Sequence, residues 1–149
     1  MTHQVIAAAP PTPDPAFTPT PERAMTPVET VRQFLRAMEA LDYDAGLKLV
    51  SADCVYTNPP PLGTVQGPAG VRAVLEPFFA PTLENDFQIL REASDGPVVI
   101  LERLDRHRLA DKWVELPVTG VFEVHGGRIV AECAVPSGLR VRISLPRAC

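Results

Sequence analysis

VVILERLDRHRLADKWVELPVTGVFEVH, residues 98–125, is the stretch whose reading decides the fold. In its first half Val99, Leu101, Arg103, Asp105 and His107 recur at every second position, so in an extended chain they share one face. After Leu109-Ala110-Asp111 the pattern resumes. Val114, Leu116, Val118, Gly120, Phe122 and Val124 take one face, and Trp113, Glu115, Thr119 and Glu123 take the other, which is the wet one. Two long strands joined by a turn follow from this. Working outward, Phe87–Ala93 and Arg128–Val135 also alternate, set off by the turn signals Ser94-Asp95-Gly96 and His125-Gly126-Gly127. The Gly-Gly turn predicts a solvent-facing His125.

Upstream the period changes to that of a helix. Thr26-Pro27-Val28-Glu29 combines a cap, a proline suited to the first helical position and a capping-box glutamate. Val31, Phe34, Leu35, Met38 and Leu41 then follow at helical spacing. A second short helix is predicted from Asp42 as cap through Leu47, Leu49 and Val50, and a third from Pro68 to about Phe79. Between them Val55-Tyr56-Thr57-Asn58 reads as a short extended piece stopped by Pro59, Pro60 and Pro61. Helices followed by a meander of antiparallel strands predict an α+β domain whose sheet curls over the helices.

The composition agrees with a single globular domain, with 46% hydrophobic and 21% charged residues in a chain of 149. A net charge of −4 supplies no electrostatic footprint for nucleic acid or an anionic membrane, so a small or neutral partner is expected. Six of the 17 prolines fall in the first 25 residues. We therefore expect residues 1–25 to be a disordered Pro-rich tail and residues 26–149 one domain. Cys54, Cys133 and Cys149 form no CxxC pair, and the odd count indicates neither a disulfide framework nor a zinc knuckle. There is no signal-like start and no run near the ~18 apolar residues of a membrane helix, so a cytoplasmic protein is expected.

Chemistry concentrates on two strands. If the apolar rows face the helices, Arg103 and Asp105 point into an apolar interior, where ionised groups persist only when paired. A buried pair lining a pocket is a site candidate, although an ordinary salt bridge near a strand edge gives the same pattern. Tyr56 and Asn58 also share a face and can hold one water between a phenol and an amide. They read equally as turn residues ahead of Pro59. No GxSxG elbow, Gly-rich phosphate loop or HExxH is present, and His3, His107 and His125 have no metal-ligand spacing.

With these four residues in place, the ordered part of the chain resembles the limonene-1,2-epoxide hydrolase family, within the wider NTF2-like and SnoaL-like superfamily. The resemblance runs from about Thr26 to Ala131 and rests on Val55-Tyr56-Thr57-Asn58-Pro59, Leu101-Glu102-Arg103-Leu104-Asp105 and Gly120-Val121-Phe122-Glu123-Val124. It implies a cone, with a curved, mixed or mainly antiparallel sheet wrapped over three to four N-terminal helices. It further implies Asp105 as the acid that protonates an epoxide oxygen, Arg103 as a bridge between two carboxylates, and Tyr56 and Asn58 as holders of the attacking water. No metal or organic cofactor is implied; the substrate would be a small apolar, terpenoid or cyclic epoxide, opened to a vicinal diol by a homodimer. Leu35, Met38, Phe78, Leu116 and Val118 match apolar pocket positions and read equally as core.

The tail after Glu132, Cys133 to Cys149, has no Asp or Glu and does not match the family. Relatives carry W-R-D-Y-F-D in the last strand, and its first Asp, the water-activating base, falls at Ala134 here. Glu132 is the nearby carboxylate on the same strand face and is the replacement candidate. A missing base keeps two other classes open: a SnoaL-like or ketosteroid-isomerase-like proton-transfer enzyme with Asp105 as base, and a non-catalytic small-ligand-binding module. Diol carrying oxygen from labelled water marks hydrolysis, whereas solvent deuterium entering carbon marks isomerisation.

Overall fold

The computed structural model describes residues 23–137. The expected tail thus falls almost wholly outside the described residues, as do residues 138–149. Helix α1 (Pro27–Glu39) opens as its sequence dictates. Thr26 Oγ1 accepts the Glu29 backbone N–H at 3.2 Å, and the Glu29 carboxylate accepts the Thr26 N–H at 2.7 Å. Val31, Phe34, Leu35 and Met38 form its buried stripe, each stabilising the fold by about 1.5–3 kcal/mol. The helix stops before Leu41, which takes φ 57°.

Helix α2 (Tyr43–Leu47) is capped by Asp42, whose carboxylate accepts the Ala45 N–H at 3.0 Å. It is shorter than the sequence suggested, because Val50 already belongs to strand β1 (Val50–Thr57). Leu49 and Val50 are buried for sheet packing rather than for helical periodicity. A three-residue strand β2 (Thr64–Gln66) pairs with the end of β1 and leads directly into α3 (Gly67–Phe79).

Four long strands follow: β3 (Glu84–Asp95), β4 (Val98–Arg108), β5 (Trp113–His125) and β6 (Arg128–Pro136). The sheet order is β2-β1-β6-β5-β4-β3, curved and unclosed. All neighbours are antiparallel except β1 and β6, which run parallel, so the sheet is mixed. The β5–β6 turn uses Gly126 and Gly127 at φ 55° and 72°, the positive pair that a two-residue hairpin loop requires. His125 beside it is exposed, as the turn predicted.

The alternation read from residues 98–125 is realised. Val99, Leu101, Arg103, Asp105 and His107 are all buried on the inner face of β4, with Gly120, Phe122 and Val124 beside them on β5. Helix α1 lies over that face, where Phe34 meets Phe122 edge-on at 6.5 Å, and Phe79 at the end of α3 packs against His107. Edge strand β3 shifts register between Ile89 and Arg91, a bulge of the kind that bends exposed edges. Cys54 is a buried free thiol, whereas Cys133 is disulfide-bonded, a bridge that the spacing of the cysteines did not announce.

Candidate active site

The sheet and helices enclose a cavity of about 620 Å³, within the usual range of small-molecule sites. Tyr56, Asn58, Arg103, Asp105, Glu132 and Ala134 all line it. So do Leu35, Met38, Phe78, Leu116 and Val118, the five apolar residues expected there. The Pro59-Pro60-Pro61-Leu62 segment after β1 borders the same space, and Pro60-Pro61 is cis.

At the polar end Arg103 holds Asp105 with two parallel bonds, Nε to Oδ1 at 3.0 Å and Nη2 to Oδ2 at 2.9 Å. Both residues are buried, at 6% and 8% exposure. Pairing is what makes this tolerable, since either charge alone would destabilise the interior by several kcal/mol. Adjacent strand positions do not suffice for the fork; Arg103 also needs room across β5, and Gly120 provides it. A Cβ there would stand 3.1 Å from Arg103 Nη1 and 2.9 Å from a ring carbon of Phe122. Gly120→Ala should therefore displace the guanidinium together with the buried Phe122 ring, at some cost in stability. We expect at least about a tenfold loss of kcat/KM in any reaction run by this cluster; an unchanged value would show that Arg103 does not position the site.

Glu132 enters from β6. The parallel pairing sets it directly opposite Tyr56 of β1, and the antiparallel pairing sets it opposite Phe122 of β5. It is only 2% exposed. Burial pushes its carboxyl up to about 8, with Asp105 adding to the rise and the Arg103 charge opposing it. Burial and the Glu132 charge likewise hold the Tyr56 phenol well above its usual range, so it stays protonated.

Three buried side-chain polar atoms among the described residues have no hydrogen-bond partner: Asn58 Nδ2, Arg103 Nη1 and Glu132 Oε2. All three residues line the same cavity. Two donors and an acceptor left unpaired in one pocket are costly to the fold and useful to a polar guest. Ala134, on the same face of β6 as Glu132, lies opposite Gly120 one strand pair further along and carries no polar group.

Residues 25–132 match the family described as the limonene-1,2-epoxide hydrolase catalytic domain. The chain belongs to that family. A structure described as a Mycobacterium tuberculosis LEH-like epoxide hydrolase is 27% identical to this limonene-1,2-epoxide hydrolase family member. It superposes with a TM-score of 0.64 over 74% of this chain and 81% of the other. A candidate SnoaL-like polyketide cyclase from Shewanella denitrificans OS-217 is 17% identical with a TM-score of 0.66, over 74% of this chain and 89% of its own. A protein with a ketosteroid isomerase-like fold from Catenulispora acidiphila DSM 44928 is 18% identical with a TM-score of 0.64, over 74% of this chain and 86% of its own. The last two show the NTF2-like and SnoaL-like fold alone. No curated protein matches the chain.

Within the family frame, the structure brings together Tyr56, Asn58, Arg103, Asp105 and Glu132, the polar residues singled out from sequence. Sequence reasoning passed over three others. Gly120 was read only as a strand position, Asn85 was not considered, and His107 was set aside for lacking metal-ligand spacing although its alternation already placed it on the inner face. Among the described residues no group of three His, Cys, Asp or Glu side chains could hold a metal ion, and no helix is long and apolar enough to cross a membrane.

Proposed function

We propose that this chain adds water to a small apolar epoxide, giving a vicinal diol, by general acid and base catalysis. The observation that carries the reading is the unpaired trio of Asn58 Nδ2, Arg103 Nη1 and Glu132 Oε2 at the polar end of an otherwise apolar cavity. A water molecule lodged by Asn58 and the Tyr56 hydroxyl lies against Glu132, because Tyr56 and Glu132 are ladder partners. Water oxygen attacks one epoxide carbon as the ring C–O bond breaks; Asp105 gives its proton to the departing oxygen while Glu132 takes one from the water. The cluster resets when that proton returns to Asp105. Proton transfer by positioned groups of this kind contributes about 10²–10⁴-fold each.

Burial keeps a proton on Glu132 in the resting site; the reaction begins when that proton passes to Asp105, which frees the Glu132 carboxylate to accept one from the attacking water. That proton leaves as pH rises through about 8, and no acid then remains to open the ring. Turnover should hold through neutral pH and fall above about 8, approaching tenfold per pH unit. A rate that keeps rising to pH 10 would remove the shared proton from the mechanism. The reaction itself is tested with limonene 1,2-epoxide in ¹⁸O-labelled water. Diol carrying one labelled oxygen supports the reading, and an unchanged epoxide refutes it for this substrate class.

We also infer a homodimer. Ile100 and Val121 are ladder partners on the outer face of β4 and β5 and are 43% and 36% exposed. A two-fold pairing of this face would cover them; a monomer by analytical ultracentrifugation would not.

A further inference from the structure

The same cavity has a second polar point, which water activation does not use. His107 of β4 is 5% exposed and lines the wall beyond Asp105. Phe78 and Phe87 meet its ring edge-on at 5.8 and 6.0 Å, and Phe79 lies against it at 5.6 Å. Its partner is Asn85, buried directly across the β3–β4 ladder.

The amide fixes the state of the imidazole. Asn85 Nδ2 donates to the Met38 carbonyl at 3.3 Å, so the atom turned toward His107 Nδ1, at 2.7 Å, is the amide oxygen Oδ1. An amide oxygen only accepts, so Nδ1 must carry the hydrogen. Burial also lowers the tendency of the ring to take a second proton, against the pull of Asp105. In a neutral ring with its hydrogen on Nδ1, Nε2 is a bare acceptor. No described residue donates to it, and the neighbouring rings have no hydrogen-bonding group to offer.

We propose that His107 Nε2 receives a hydroxyl of the substrate, so that the chain selects a hydroxylated apolar epoxide over the plain hydrocarbon epoxide. This rests on the epoxide reading above and narrows its substrate class. Asp105 and His107 are two residues apart on one strand, which separates their side chains by roughly 6–7 Å. The hydroxyl then lies about that far from the oxirane oxygen, the distance across a monocyclic terpenoid. The plain hydrocarbon would leave Nε2 dry and unpaired, and a pocket built to pair a hydroxyl rejects the analogue that lacks one.

Two pairs of probes test it. Binding of the unreactive pair α-terpineol and limonene is measured by calorimetry, and kcat/KM is measured for their 1,2-epoxides. Wild type should favour the alcohol member of each pair by at least about tenfold, and His107→Leu should lose that preference while keeping its affinity for limonene. Equal binding of α-terpineol and limonene by wild type, or a preference that survives His107→Leu, overturns the proposal. Should the variant fail to fold, the wild-type comparison decides alone. A chain that binds α-terpineol selectively through His107 but opens neither epoxide refutes the hydrolase reading and leaves the recognition role standing.

Discussion

Asp105→Asn should cut epoxide opening by about 10²–10⁴-fold while leaving affinity for an unreactive ligand within a few fold. Asparagine keeps the volume and one oxygen for Arg103 Nε, now held at 3.0 Å by Asp105 Oδ1. Its amide nitrogen, however, meets the Nη2 hydrogens head-on and has no acidic proton to deliver. The guanidinium also loses the charge that compensates it, which for a buried pair costs about 3–5 kcal/mol of stability. Rates must therefore be compared well below the melting temperature of the variant, with ligand binding as the measure of an intact cavity. Undiminished turnover in a folded Asp105→Asn protein would take Asp105 out of the reaction.

Glu132→Gln should be inactive by a similar factor and yet more resistant to alkali. The folded-state value of about 8 lies above the 4.5 of an ordinary glutamate. Between those two pH values the folded protein holds a proton that the unfolded chain has released. The contribution of Glu132 to stability is thus full below about pH 4.5 and is lost as pH rises through about 8. Glutamine has no proton to lose. Denaturation midpoints at pH 5 and pH 8.5 should show Glu132→Gln gaining on wild type at the higher pH, by an amount on the order of a few kcal/mol at most. A difference that does not change with pH would mean that the carboxyl is not held protonated by its surroundings. Brisk turnover in the variant would return the search for the base to some other group.

The inner row of β4 was legible because alternation is a local property, and every residue from Val99 to His107 obeyed it. Thr26-Pro27-Val28-Glu29 was legible for the same reason, since a capping box is closed within four residues. What could not be read locally was lost. The first half of β1 was missed because Ser51-Ala52-Asp53 has no apolar alternation; these residues lie within an irregularity of the β1–β6 ladder, where the register shifts between Val50 and Val55. Strand β2 has three residues and little burial, too weak a signal to stand out. Glu132 and Ala134 were correctly seen to share a face, but spacing along β6 says nothing about which of them meets Tyr56. That is decided by the parallel register of two strands far apart in the chain.

The same parallel register bears on how the protein comes to exist. Chain synthesis delivers α1 through β5 first, and that portion already contains the Arg103–Asp105 fork and most of the apolar walls. Tyr56 waits unpaired on its β6 side until the strand bearing Glu132 has emerged from the ribosome and slotted between β1 and β5. Asp105 and Glu132 are therefore brought together by the last of the described strands to enter the sheet. Changes confined to that one strand can rewrite the chemistry of the pocket while the helices and the β3–β5 meander keep folding as before.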